Sequence, residues 1–114
     1  MSECLFCKIA NRQIPSDVVF DSDDVLAFRD INPQAPQHVL VIPKRHIARL
    51  ADLGDADAAE IGKLMIQAVK LARQLGMEKD GYRLVINNGE EAGQSVWHLH
   101  IHLLSGRPFR WPPG

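Results

Sequence analysis

Polar and apolar residues alternate strictly from His98 to Leu103: histidines stand at 98, 100 and 102, with Leu99, Ile101 and Leu103 between them. Only an extended strand sends residues i, i+2 and i+4 to one face and the intervening residues to the other. The pattern predicts a β-strand with an imidazole row on one side and an apolar row turned toward a core. A different period governs an earlier stretch. Ile61, Leu64, Met65, Ala68, Leu71, Ala72 and Leu75 follow i, i+3, i+4, i+7 spacing, the stripe of a helix buried along one side. Asp57 and Glu60 have capping-box spacing at its start, and Gly76 supplies a stop.

Shorter patterns fill in the remainder. Cys4 to Ile14, with Leu5, Phe6 and Ile9 apolar, predicts a short helix ended by Pro15. Val18-Val19-Phe20 and Val25-Leu26-Ala27-Phe28 predict two strands of a hairpin, joined by the turn-forming run Asp21 to Asp24. Asp30 to Pro36 reads as a loop, and His38 to Ile42 as a strand closed by Pro43. Arg83 to Asn87 is a further strand, Asn88 to Gln94 a glycine-containing loop, and Arg107 to Gly114 a proline-rich tail without regular structure. Most strand connections are too short for crossover helices. The expected class is α+β, an antiparallel sheet with one long helix packed on a face.

Composition narrows the class. With 114 residues, 46% hydrophobic and 24% charged, the chain suits one globular domain spanning residues 1–114. A formal net charge of −1 gives no bulk attraction to nucleic acid or to an anionic membrane, so a phosphate-bearing ligand needs a local site. No run approaches the length of a membrane span, and Met1-Ser2-Glu3-Cys4 lacks a signal-peptide pattern. A cytoplasmic location is expected. There Cys4 and Cys7, spaced C-x-x-C, suit a metal or redox pair better than a structural disulfide.

The histidine row has three readings: a solvated strand face, a metal site, or a nucleophile with helpers. On a straight strand the first and third imidazoles are about 13 Å apart, whereas zinc needs its ligands within about 2.1 Å. Three histidines of one strand therefore cannot share one ion, although two can. Gly89, Gly93, Gln94 and Ser95 lie just upstream and favour the nucleophilic reading, because glycine-rich backbone can approach phosphate oxygens closely. Cys4 and Cys7 offer two ligands of a four-ligand zinc site that two histidines would complete, the ones outside the row being His38 and His46; alternatively, the cysteines pack as small apolar residues.

The His98-Leu99-His100-Ile101-His102 segment resembles the signature of the histidine triad (HIT) superfamily. Asp30 to Pro36, His38 to His46, Gly93 to Trp97 and Trp111-Pro112-Pro113-Gly114 are similar to its HINT-like, nucleotide-binding branch. The resemblance implies a five-stranded α+β fold, a homodimer with one continuous sheet, and hydrolysis of purine nucleoside 5′-monophosphoramidates. It assigns His100 as the nucleophile that carries the nucleotidyl group, His102 and His38 as phosphate-lining residues, and Ser95 as a neighbour of the leaving group. Asn87, Gly93, Gln94 and Val96 match the phosphate-binding loop and its surroundings, Asp30 the ribose ligand, and Phe6, Ile9, Phe28 and Ile31 the purine walls. In members with C-x-x-C, the residues matching Cys4, Cys7, His46 and His98 bind a structural zinc. No organic cofactor, nucleic acid or membrane partner is implied, and the tail around Trp111 would lie near the partner subunit's site. The alternatives are dinucleoside polyphosphate hydrolysis, a nucleotide-binding interaction module with little catalysis, and zinc-dependent hydrolysis.

Overall fold

The computed structural model describes residues 4–114. Met1 to Glu3, part of the N-terminal stretch without a signal-peptide pattern, lie outside the described residues. The chain runs through α1 (Leu5–Ala10), β1 (Val18–Asp21), β2 (Val25–Arg29) and β3 (Gln37–Pro43). Two single-turn 3₁₀ helices (Leu50–Asp52 and Asp55–Asp57) then lead into α2 (Ala58–Gln74), β4 (Tyr82–Val85) and β5 (Ile101–Ser105). The strands form one sheet in the order β1-β2-β3-β5-β4, every pair antiparallel. This is the α+β architecture that the alternation and the helix stripe predict. Among the described residues no helix is long and apolar enough to cross a membrane.

Both faces of the sheet centre are covered, and strand alternation divides its side chains between two cores. Val25, Ala27, Val39, Val41, Ile101 and Leu103 pack with Leu64, Ala68, Leu71 and Ala72 of α2. Leu26, Phe28, Leu40 and Ile42 pack on the other side with Phe6, Ile9 and Ala10 of α1. Strands buried on both faces read as unbroken hydrophobic runs, which is why β2 and β3 stand out in the sequence.

The helix ends depart from expectation. Asp57 precedes α2 but makes no side-chain cap bond; its Oδ2 accepts from the Gly54 N–H, and Oδ1 accepts from Arg45, which also binds Glu60. The two acids of the predicted capping box are thus drawn into an ion-pair cluster with Arg45. At the other end Gly76 (φ 74°) does act as the stop: its N–H reaches the Arg73 carbonyl and that of Met77 the Ala72 carbonyl, a Schellman closure. The N-terminal helix ends at Ala10 rather than near Pro15. Arg12 adopts φ 62°, and the Arg12 and Gln13 N–H groups bond the Ile9 and Lys8 carbonyls, closing the helix four residues early. The strand before the glycine loop is likewise shorter, spanning Tyr82–Val85 and leaving Asn87 outside.

Candidate active site and metal centre

The histidine row is not one regular strand. Ladder pairing begins at Ile101, and His98 lies in a bend before it. Leu99, Ile101 and Leu103 nevertheless enter the α2-side core as predicted. The β3–β5 register sets Leu40 opposite His102 and His38 opposite Leu104, so His38 and His102 meet diagonally across the strands. Their ring centroids are 5.1 Å apart, and the His100 ring is 4.9 Å from that of His102. The three line a cleft of about 590 Å³ with Asp30, Gly93, Ser95 and the apolar side chains of Phe6, Ile9, Phe28, Leu40 and Val96. Phe6 meets Phe28 edge-on at 5.4 Å and His100 at 5.1 Å, so α1 sets an aromatic wall directly on the imidazole.

Fixed donors and acceptors decide where each ring carries its proton. Nδ1 of His100 lies 2.7 Å from the His98 carbonyl oxygen. A carbonyl accepts and never donates, so Nδ1 holds the proton and Nε2 keeps its lone pair. At His38 the order is reversed. The Gln34 N–H donates to Nδ1 at 3.0 Å, which leaves the proton of a neutral ring on Nε2. That atom faces Nδ1 of His102 at 2.9 Å and Oδ2 of Asp30 at 3.5 Å. His102 therefore accepts at Nδ1 and carries its N–H at Nε2. Burial lowers the His102 pKa from 6.5 to about 4, reinforced by His100 and His38 and opposed by Asp30. Burial lowers His38 as well, against the Asp30 charge. Side by side stand a ring with a bare nitrogen and a neutral ring with an N–H.

A second cluster lies behind the first. Nδ1 of His98 is 3.4 Å from Cys4 Sγ, 3.5 Å from Cys7 Sγ and 3.3 Å from Nδ1 of His46, which is itself 3.3 Å from Cys7 Sγ. A tetrahedral ion with Zn–S of about 2.3 Å and Zn–N of about 2.1 Å separates its ligand atoms by about 3.4–3.8 Å, so these spacings fit the edges of such a site. The tautomer fits too. Nε2 of His98 is 2.7 Å from the Pro43 carbonyl; donating there, it leaves Nδ1 unprotonated and facing the thiols, the usual outer-shell arrangement of a ligating histidine. Asp30, His38 and His102 also converge within 4.8 Å, but the Gln34 donor keeps a proton on the His38 nitrogen that would have to bind. The Cys4–Cys7–His46–His98 cluster suits a metal; the Asp30–His38–His102 cluster suits a proton.

Comparison with known proteins gives this arrangement a family. The HIT domain profile matches residues 11–109. The chain belongs to the HIT family. It is 51% identical over 112 residues to a HIT-like protein of Synechocystis, covering 98% of this chain and 97% of that one. A HIT family hydrolase from Legionella pneumophila superposes with a TM-score of 0.97 at 53% identity, covering 98% of this chain and 100% of the other. A histidine triad protein from Clostridium difficile gives 0.92 at 42% identity, with 96% of each chain covered. Cys4 and Cys7 precede the segment matched by the HIT profile.

Of the residues singled out in the HIT-like sequence, Phe6, Ile9, Phe28, Asp30, Ile31, His38, Gly93, Ser95, Val96, His100 and His102 all line the cleft. Ile31 does so from the rim, with 98% of its surface exposed. Gln94 does not line it: its buried amide bonds the Gly89 N–H and the Ala48 and Val96 carbonyls. Asn87 lies under the loop, its Nδ2 3.7 Å from where a Cβ on Gly93 would fall. The expected phosphate nest is also reduced, because the Gly93 and Gln94 N–H groups bond the Glu90 and Gly89 carbonyls within the loop. Leu5, Ile14 and Leu40 line the cleft without having been singled out. Leu40 was legible, two residues after His38 on a strand; the Gln34 backbone donor carries no side-chain signal.

Proposed function

We propose that this HIT protein hydrolyses purine nucleoside 5′-monophosphoramidates by double displacement at His100. The observation that carries the reading is the pair of opposite tautomers: a bare Nε2 on His100 beside an N–H on His102. Nε2 of His100 attacks phosphorus while the P–N bond breaks, and the leaving amine takes a proton from solvent at the exposed Ser95 rim. The His98 carbonyl supports the positive charge that develops at Nδ1–H. His102 donates its N–H to a phosphoryl oxygen, where charge accumulates. Water then attacks phosphorus, the bond to Nε2 breaks, a proton passes to solvent, and the nucleoside monophosphate leaves. The edge-to-face Phe6–Phe28 pair supports stacking of a purine, and Asp30 supports a hydrogen bond to the ribose.

Zinc held by Cys4, Cys7, His46 and His98 would supply folding energy rather than chemistry. The homodimer would form through the outer edge of β4, which ends the sheet, with the tail of exposed Trp111 reaching the second site. An alkaline quench of wild-type protein with adenosine 5′-phosphoramidate is expected to trap one acid-labile nucleotidyl group on His100 by mass spectrometry. His100→Ala is expected to lose both adduct and turnover. Turnover by that variant, or diadenosine polyphosphate as the strongly preferred substrate, would overturn the reading.

A further inference from the structure

The segment that supplies the Gln34 donor is exposed from Ile31 to Gln34. Some of its hydrogen bonds are internal: the Asn32 N–H donates to Asp30 Oδ1 at 2.9 Å, and the Gln34 side-chain amide to the Asn32 carbonyl at 3.0 Å. The C-terminal tail grips it from outside. Nε and Nη2 of Arg107 both donate to the Gln34 carbonyl, at 3.3 and 3.0 Å. Arg107 is itself braced, with its guanidinium 4.4 Å from the Phe109 ring centre and Nη1 on the Pro108 carbonyl at 3.1 Å. Arg83 of β4 lies 5.2 Å from the same ring. Gly106 (φ 102°) allows the tail to pass against Pro36, where a Cβ would fall only 2.7 Å from the proline Cβ. The tail is a strut between the edge strand and the donor segment.

The donor matters because the His38–His102 pair has two self-consistent proton orders. In one, His38 donates and His102 turns an N–H toward the cleft. In the other, Nδ1–H of His102 donates to His38, and His102 turns a lone pair toward the cleft. A lone pair repels a phosphoryl oxygen that an N–H would bind. The Gln34 N–H selects the first order, because it requires an acceptor at Nδ1 of His38.

We propose that Arg107 is a positioning residue: by holding the Gln34 carbonyl it keeps the Gln34 N–H on His38, and so keeps His102 presenting an N–H to the reacting phosphate. The kinetic consequence rests on the phosphoryl-transfer reading above; the tautomers do not. Long-range ¹H–¹⁵N histidine spectra of the wild-type protein are expected to show His38 and His102 protonated at Nε2 and His100 at Nδ1. In Arg107→Ala, His38 and His102 move to the averaged shifts of mixed tautomers while His100 stays. Its kcat falls about tenfold, with KM changed less than about twofold. Arg107→Lys, with one compact donor group, restores part of both. Gln34→Pro, which deletes the N–H and leaves the tail intact, shifts the same two rings. Wild-type tautomers in folded Arg107→Ala would overturn the proposal, as would a change in KM alone. The tautomer shift without any phosphoramidate turnover would uphold the positioning role and overturn the proposed reaction.

Discussion

The carbonyl oxygen of His98 lies 2.7 Å from Nδ1 of His100, so one residue serves two sites: its ring faces the cysteines and its main chain orients the neighbouring imidazole. Metal at the Cys4–Cys7–His46–His98 cluster would stiffen the segment that holds His100, without touching the cleft. Removing zinc from the metal-loaded protein with a chelator is expected to lower Tm by on the order of 10 °C. Turnover measured well below the new Tm should persist within about tenfold. Complete loss of turnover at unchanged Tm would mean that the metal takes part in the reaction.

Acid should destabilise the fold through the buried rings. His102 is lowered from 6.5 to about 4 and His38 is lowered in the same direction. Both therefore bind protons more readily in the unfolded chain. Their contribution to stability is complete above pH 6.5, and it is lost as pH falls from there toward 4. Urea titrations across this window should show declining stability with a slope that diminishes in His102→Asn. An unchanged slope in that variant would assign the acid sensitivity elsewhere.

Leu40 and Val41 are adjacent in sequence but belong to different cores. Leu40 packs on the α1 side and lines the cleft, whereas Val41 faces α2. Val41→Ala is expected to cost about 2 kcal/mol of stability and leave nucleoside monophosphate affinity unchanged. Leu40→Ala should lower both. Calorimetry of unfolding and of ligand binding separates the two outcomes, and equal effects on affinity would contradict the division of faces.

Gly106 is the glycine where both space and conformation are restrictive. With φ 102° and Pro36 Cβ 2.7 Å from the position of an added Cβ, Gly106→Ala should cost about 1–3 kcal/mol. Gly54 has nothing within 4 Å of such a Cβ, so Gly54→Ala is the control, expected to shift stability by less than about 0.5 kcal/mol. Urea midpoints of the two variants measure the difference, and equal midpoints would place the tail away from Pro36.

Much of this protein follows from its sequence alone. Period-two alternation placed Leu99, Ile101 and Leu103 in the core, period 3.6 located α2, and Gly76 marked its end, because each depends on side chains a few residues apart. The grouping of Cys4, Cys7, His46 and His98 was accessible only through resemblance, since ligands 94 positions apart share no local pattern. Three matters were decided by tertiary structure. The β3–β5 register set His38 diagonally across from His102, and no local spacing specifies a register between distant strands. Arg45 drew Asp57 and Glu60 away from the helix cap, because a guanidinium brought close by the fold competes with the local turn. Above all, the direction of each imidazole came from backbone groups, the His98 carbonyl for His100 and the Gln34 N–H for His38. Every residue except proline carries these same groups, so the sequence named the histidines and only the fold decided where each one holds its proton.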